Sequence, residues 1–451
     1  MTKLPSGWAI APIGAVAALN PALTTTARAD DLLSFIPMAS VEEETGRIDA
    51  AETRRFEELR SKSYRSFQEG DVLFAKITPC MENGKVAIAR GLKGGCGFGS
   101  TEFHVLRPAA GIAPGYLLYF LLQSGFRRDA ARYMTGTAGQ MRVPSSYLAT
   151  CPVPIPPTEE QERIVASIEE QVSRIDVGVA AVQSAKQRLA SLLKSILFRA
   201  VPSKPPPDWS MITVGEAGDV RLGRQRSPKF HHGPDMRPYL RVANVFEDRI
   251  DSSDIMTMQF DKEEFEAYRL APGDILLNEG QSPHLLGRPA MYHGEPPDIA
   301  FTNSLIRFRA WPNILPEWAL LVFRRYLHGK RFMRESQITT NIAHLSAGRF
   351  KSVEFPVPSL SEQRRIVAEV QHYLSLIAAT KATLKSQLRR SSALRSSLLR
   401  EAFAGNLVAQ EPNDEPASAL LERIAAERLN SERHKVPSNR VARRSFPAVK
   451  A

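Results

Sequence analysis

The chain has 451 residues, 43% hydrophobic and 24% charged, the balance of a globular protein and not of a fibrous, collagen-like or wholly disordered one. Its 59 Lys and Arg against 48 Asp and Glu leave a formal net charge of +11, which favours an anionic partner such as nucleic acid or an acidic membrane surface. Cys80, Cys96 and Cys151 form no C-x-x-C pair and the nine histidines show no ligand spacing, so neither a disulfide framework nor a metal site is expected.

From the N-terminus, Lys3, the apolar AIAPIGAVAAL (9–19) and TARA (26–29) have the outline of an export signal. The same segment returns in mid-chain, however: LPSGWAIAPIGAVA (4–17) is echoed by PPDWSMITVGEAGD (206–219), with Trp8 on Trp209. A segment used twice is expected to belong to a domain. No apolar run approaches the roughly 18 residues that span a bilayer, so no membrane partner is expected, and a reducing, cytoplasmic setting fits the cysteine usage.

The echo is part of a repeat with an offset near 202. EGDVLFAK (69–76) matches PGDILLNE (272–279), GKVA (84–87) matches GRPA (287–290), and STEFHVLR (100–107) matches TNSLIRFR (302–309). Between these landmarks the halves diverge, as in ITPCMEN (77–83) against GQSPHLL (280–286). One scaffold with two sets of loops is implied.

Within each half, DVLFAKI (71–77), KVAIA (85–89), DILL (274–277) and SLIRFR (304–309) predict short strands. GYLLYFLLQSGFRRDAARYM (115–134) and PEWALLVFRRYLHGKRFM (316–333) have helical spacing. A proline-rich lead-in then announces a long helix in each half, with Thr158 and Gln161, or Ser359 and Glu362, in the capping-box pattern. Ile164, Ile168, Val172, Ile175, Val179, Val182, Leu189, Leu193 and Ile196 make one apolar seam. Ile366, Val370, Leu374, Ile377, Leu384, Leu388 and Leu398 make the other. The first helix runs roughly 63 Å at ~1.5 Å per residue.

The predicted fold class is α+β: two globular α/β-mixed domains (1–157 and 201–359) separated by two long antiparallel coiled-coil helices (158–200 and 360–404), with an internal two-fold repeat. Residues 405–451 form a C-terminal tail, expected to end in a loose basic stretch over 438–451.

No catalytic signature appears. There is no G-x-x-x-x-G-K-[ST], no glycine fingerprint with the acidic or aromatic Pro-Pro tetrapeptide of an amino-methyltransferase, and no acidic residue two before any lysine. GLKGGCGFGS (91–100) serves equally as a phosphate-contacting loop or a surface turn. No residue is therefore assigned a catalytic role.

The charge is unevenly spread. Residues 1–157 hold 17 basic and 14 acidic side chains, residues 201–360 hold 20 and 19, and the second helix (361–403) holds 8 and 3. An anionic partner must then meet local clusters in the globular domains: Arg221, Arg224, Arg226 and Lys229, and Lys76, Lys85, Arg90 and Lys93. For reading bases the candidates are Gln140 with Arg142, Asn278, Gln281, Arg288, and Asn341 with His344, because amides and guanidinium groups pair bidentately with base edges. Taken singly, each charge is equally well a solvated surface group. Glu160, Gln161, Glu362 and Gln363 are candidate partner-binding residues, with helix capping as the competing explanation. The cations of the second helix, Lys381, Lys385, Arg389, Arg390, Arg395 and Arg400, face DNA, an acidic partner or solvent.

The repeat, the PIPPTEEQERIV and PVPSLSEQRRIV helix starts, the helix ends LLKSILFRAV (192–201) and SLLREAFAGNLV (397–408), the acidic QEPNDEPASALLERI (410–424) and GDVLFAKITPCMENGKVA (70–87) together resemble the specificity (S) subunit of a Type I restriction–modification enzyme. The resemblance covers nearly the whole chain. It implies a non-catalytic subunit whose two target recognition domains each read half of a bipartite, asymmetric site on double-stranded DNA. It also implies that the paired helices dock two methyltransferase (M) subunits and that restriction (R) subunits join the assembly. Cofactors are then expected on the partners and not on this chain: S-adenosylmethionine on the methyltransferase, ATP and Mg on the restriction subunit. The alternative from another class is a non-catalytic coiled-coil adaptor joining two protein-binding modules.

Overall fold

A computed structural model describes residues 4–23, 25–334, 337–339 and 342–435. The chain divides into two compact units, Met1–Ala180 with Leu388–Ala451, and Ala181–Gln387. The division cuts both long helices, Thr158–Ala200 and Leu360–Phe403, so each helix contributes one half to each unit.

In the first unit the apolar segment near the N-terminus becomes strand Ala9–Pro12, a helical turn Ile13–Val16 and strand Ala17–Leu19. Ile13 and Val16 are fully buried, so its apolar character serves a core. Strand Ala9–Pro12 pairs antiparallel with Pro152–Ile155, the lead-in to the first long helix. Strand Ala17–Leu19 edges an antiparallel sheet whose order continues through Phe103–Pro108, Val72–Ala75 and Val86–Ile88. A second sheet orders Glu52–Arg55, Leu32–Ile36, Cys96–Gly99 and Arg65–Gln68, with Leu32–Ile36 and Cys96–Gly99 parallel.

The second unit repeats this plan. Ser210–Thr213 pairs with Glu354–Val357, and a four-stranded antiparallel sheet runs Gly218–Leu222, Leu305–Ala310, Ile275–Asn278, Pro289–Met291. Its smaller sheet again contains one parallel pair, Met236–Leu240 with Ala300–Phe301.

The repeated G-D dipeptide proves to be a structural device. Gly70 and Gly273 hold φ of 86° and 91°, a left-handed turn that suits glycine. Asp71 and Asp274, each 1% exposed, then accept the Gln68 and Ala271 amides at 2.8 Å. Each carboxylate also takes a two-bond grip from an arginine on a neighbouring strand, Arg107 at 2.8 and 2.8 Å and Arg309 at 2.6 and 2.7 Å. The charge is paired and both carboxylate oxygens are hydrogen-bonded, as a buried carboxylate requires.

An apolar helix covers one four-stranded sheet in each unit. In PGYLLYFLL every residue from Gly115 to Leu122 is buried, as expected of a helix hydrophobic on all sides. The predicted single helix over 115–134 is two helices, Pro114–Leu122 and Ser124–Arg132, broken where Gln123 takes ψ 131°. The Tyr116 hydroxyl donates to the Pro154 carbonyl at 2.7 Å, and in the second unit the Trp318 indole N–H donates to the matching Pro356 carbonyl at 3.0 Å. Two different aromatics make the same tie.

Ile164, Ile168 and Val172 of the first long helix share one core with Leu398, Leu399 and Phe403 of the second. In the other unit Leu193 and Leu197 share a core with Ile366, Val370 and Ile377. The start of each helix packs on the end of the other, so the pairing is antiparallel. The predicted seam residues are all buried or half-buried, most deeply toward the helix ends.

The first helix start departs from the capping-box expectation, and both starts place a glutamine in the core. Gln161 and Gln363 are 0% exposed. The Gln161 Oε1 accepts the Ala113 amide at 2.9 Å while Nε2 donates to the Pro156 carbonyl at 3.1 Å. Gln363 repeats this with the Leu315 amide at 2.8 Å and the Pro358 carbonyl at 3.0 Å. These amides stitch helix to domain and are not presented to a partner. Ser359 does cap, accepting the Glu362 amide at 3.3 Å.

The expected tail contains a further helix, Ala417–Lys435, that the sequence reading did not separate. Residues 438–451 lie outside the described residues. No helix among the described residues is long and apolar enough to cross a membrane.

Candidate nucleic-acid interface

A few of the base-reading candidates lie together at one corner of each unit. In the first unit, residues 135–142 fold back so that Arg142 bridges both Thr135 and Ile77, just beyond the end of strand Val72–Ala75. Arg142 grips Glu102 through Nε and a terminal nitrogen, both at 2.9 Å, and donates to the Gln140 carbonyl at 2.8 Å. Lys76 lies in the same field as Glu102, Arg142 and Arg65, with its Nζ on the Thr101 carbonyl at 2.8 Å. Arg142 holds the Glu102 carboxyl below its usual range, and burial lowers the Lys76 ammonium. Gln140 remains exposed. The arrangement is a hairpin pinned by an ion pair, with a free amide near its tip.

Beneath it, His104 is 4% exposed and its Nδ1 and Nε2 lie 3.3 Å from Asn20 Nδ2 and 2.8 Å from the Val143 carbonyl. Those partners suit a neutral ring that donates from Nε2, and burial pushes its pKa below 6.5.

The second unit builds the same corner differently. Gly280–Gln281, Ile342–His344 and Gln337–Thr339 form a three-stranded sheet, with Gly280 opposite His344. His344 matches Arg142 in the repeat. It is exposed, and its Nδ1 sits 3.2 Å from Glu279 Oε2. Gln281 is half-buried, its Oε1 accepting the Ser282 amide at 3.0 Å. Asn341 lies outside the described residues.

A separate cationic patch follows strand Gly218–Leu222. Arg226 and Lys229 are exposed beside Tyr239 and Phe230, 5.7 and 4.7 Å from the ring centroids, distances at which cation–π attraction acts. Arg221 is exposed and donates to the Ala267 carbonyl at 2.7 Å. Phe230 is the next residue after Lys229, whereas Tyr239 comes from the following strand, Met236–Leu240.

Some candidates are structural. Arg224 is 6% exposed, sandwiched by Phe230 and Phe260 at 4.0 and 4.5 Å and paired with Glu264 at 2.6 Å. It cannot reach a phosphate without dismantling that packing. Asn278 is 0% exposed, and neither side-chain amide atom has a partner among the described residues. Its burial removes it from base reading. Arg288 is half-buried over Phe246 and donates to the Val245 carbonyl at 2.5 Å. Lys85 donates to the Met38 carbonyl at 3.2 Å. Arg90 and Lys93 are exposed, Arg90 at a cleft with Arg47, Tyr119 and Glu169. Glu160 is 1% exposed, with burial raising its pKa, while Glu362 is half-buried against Arg365 at 2.7 Å. Among the described residues no group of three or more His, Cys, Asp or Glu could hold a metal ion.

A sheet-and-helix unit present twice, with two long helices that each contribute to both copies, defines a two-module architecture. The chain belongs to the family of Type I restriction modification DNA specificity domains, whose model matches residues 5–177 and 206–390. It is 24% identical to the specificity subunit of the Type I restriction enzyme EcoKI from Escherichia coli (strain K12), over 95% of this chain and 97% of that protein. It is 37% identical to the EcoAI specificity subunit of Escherichia coli over 42% of this chain and 31% of that protein, and 33% identical to the Escherichia coli EcoEI subunit over 47% and 36%. The chain thus spans about a third of the length of the EcoAI and EcoEI subunits. A chain solved in work on complex assembly and conformational transition of the type I R-M system shares the fold, with TM-score 0.70 at 21% identity over 90% of this chain and 99% of that one. The expected fold class and family are both met.

Proposed function

We propose that this chain reads a bipartite, asymmetric site on double-stranded DNA and directs the methyltransferase and restriction subunits of a Type I restriction–modification complex to it. The observation that carries the reading is the pair of equivalent hairpins, one in each family-matched repeat, bearing unlike side chains on like scaffolds. Gln140 in the first unit, and Gln281 with His344 in the second, supply the groups that distinguish base edges in a major groove. Arg142 and Glu102 fix the first hairpin so that the Gln140 amide is presented without a large ordering cost on binding. Arg226, Lys229, Arg90 and Lys93 supply sequence-independent attraction to phosphates.

On this reading the chain itself performs no bond chemistry. Two methyltransferase subunits carry S-adenosylmethionine, restriction subunits carry ATP and Mg, and the complex works in the cytoplasm. The family match favours the DNA reader over the protein adaptor. The test is titration of a fluorescent duplex carrying the host's methylated motif with the chain and its methyltransferase subunits. Binding should be site-selective and fall steeply with salt, as counterion release demands. Binding that ignores salt and sequence would overturn the reading.

A further inference from the structure

One position of the repeat carries opposite charges in the two units. Lys76 and Glu279 end the matching segments EGDVLFAK and PGDILLNE, and their backbones are held alike. The Lys76 amide donates to the Glu102 carbonyl at 2.9 Å, and the Glu279 amide to the Ser304 carbonyl at 3.0 Å. In return the Lys76 carbonyl accepts the Val143 amide, and the Glu279 carbonyl the Leu345 amide, each at 2.8 Å. Neither side chain takes part in those bonds, so the scaffold leaves its chemistry free to vary.

Around this position the first unit gathers donors. Lys76, Arg65 and Arg142 all act on one carboxylate, Glu102. The Arg65 side chain makes no hydrogen bond or ion pair among the described residues. Lys76 gives one of its ammonium hydrogens to the Thr101 carbonyl, and Arg142 retains N–H groups beyond those spent on Glu102 and Gln140. The second unit replaces this set: Tyr268 stands for Arg65, Ser304 for Glu102 and His344 for Arg142. Among the described residues no lysine or arginine pairs with Glu279. His344 meets it, with Nδ1 3.2 Å from Oε2, which leaves Oε1 without a partner among the described residues. A Cβ on Gly280, opposite His344, would lie 3.0 Å from the ring, so glycine there leaves room for the imidazole beside Glu279. The Glu279 side chain is 20% exposed and within reach of a ligand.

An ionised carboxylate only accepts hydrogen bonds, whereas ammonium and guanidinium groups only donate them. In a major groove cytosine offers an amino donor alone, guanine two acceptors, thymine an acceptor beside a methyl group, and adenine a donor beside an acceptor. We propose that Glu279 is a specificity-determining residue that accepts a hydrogen bond from the exocyclic amino group of a cytosine, with His344 as its positioning residue, and that Lys76 at the matching place selects guanine. Guanine or thymine beside Glu279 sets acceptor against acceptor and is excluded by repulsion as well as by a lost bond. Adenine, with N7 next to its amino group, is the weaker match. The inference deepens the DNA-reading assignment and rests on it.

The experiment is competition, for the full chain with its methyltransferase subunits, among duplexes carrying each base pair in turn at every position of the methylated motif. The native chain should prefer cytosine by about tenfold at one position of one half. Glu279→Gln, whose amide both donates and accepts, should admit adenine there, and Glu279→Lys should turn the preference to guanine. His344→Ala should weaken the cytosine preference, and His344→Asn, which keeps a donor, should restore it. Lys76→Glu should remove a guanine preference in the other half alone. In each variant the untouched half reports that the chain is folded. Selective binding in which Glu279→Gln alters no preference overturns the proposal and leaves the DNA-reading assignment standing. So does a variant that binds all duplexes more tightly by the same factor, the sign of simple relief from phosphate repulsion. Absence of any base preference in the native chain overturns both.

Discussion

At the corner of the first unit an arginine is locked to Glu102 by two bonds of 2.9 Å, whereas at the matching corner of the second unit His344 meets Glu279 through one contact of 3.2 Å. Below these corners the units agree closely, down to the Gly-Asp turn, the arginine that grips its aspartate and the aromatic tied to a proline carbonyl. The scaffold is repeated where burial dictates chemistry and varies where side chains reach solvent. That division is what a two-site reader needs: each unit can change its loop without disturbing the core that aims it.

The comparison is broken most severely at the buried turns. Asp71→Ala removes the carboxylate that satisfies Arg107, and should destabilise the first unit by about 3 kcal/mol in chemical denaturation. Asp274→Ala should cost the second unit less, because the Arg309 side chain is 42% exposed against 24% for Arg107 and is more easily rehydrated. An equal or larger loss from Asp274→Ala would show that the two turns are not graded by burial.

Next in size are the readers. Gln140→Ala should weaken binding to the cognate duplex by about tenfold and relax choice at one base pair, in one half of the site. Gln281→Ala should do so in the other half, measured by competition among single-substituted duplexes. Loss of discrimination in the same half from both variants would remove the correspondence between unit and half-site.

A smaller effect is expected at the cationic patch. Arg226→Ala or Lys229→Ala should weaken binding evenly across sequences and reduce the slope of log affinity against log salt by about one. Arg224→Ala should instead lower the melting temperature, since its guanidinium is spent on Phe230, Phe260 and Glu264. If Arg224→Ala changed only the salt slope, its structural assignment would be wrong.

The smallest is a pH effect confined to one unit. His104 matches Ile306, which is 0% exposed. The folded His104 has a pKa below 6.5, so below that pH the unfolded state binds more protons and stability falls as pH drops. This contribution is fully present above the unfolded pKa. His104→Ile should flatten the acid side of the first unit's unfolding profile and leave the second unit's unchanged.

Much of this architecture was legible in the sequence because it is periodic. The seam residues from Ile164 to Ile196 and from Ile366 to Leu398 announce helices whatever surrounds them, and the GDVL and GDIL echo announces the duplicated sheet. What stayed hidden depends on contacts made across the chain. Arg224 and Asn278 read as surface polar groups until Phe230, Phe260 and the sheet close over them. Gln161 and Gln363 suggested caps or partner contacts, and only the fold brings the Ala113 and Leu315 amides to them. The helix over Ala417–Lys435 was overlooked because its apolar face, Ala417, Leu420 and Ile424, is short and acquires meaning only against the core around Trp8. Arg142 is legible only in its chemistry: the fold is what pairs it with Glu102 and brings it near Lys76 at one strand end.

The central claim is that each unit reads its own half of one DNA site. It is tested most directly by modified-base sequencing of DNA from cells that carry the methyltransferase subunits with this chain, or with this chain bearing residues 1–157 exchanged for those of a relative. The account predicts that one half of the methylated motif changes while the other half and the spacing between them stay the same. A change in both halves, or in neither, would contradict it.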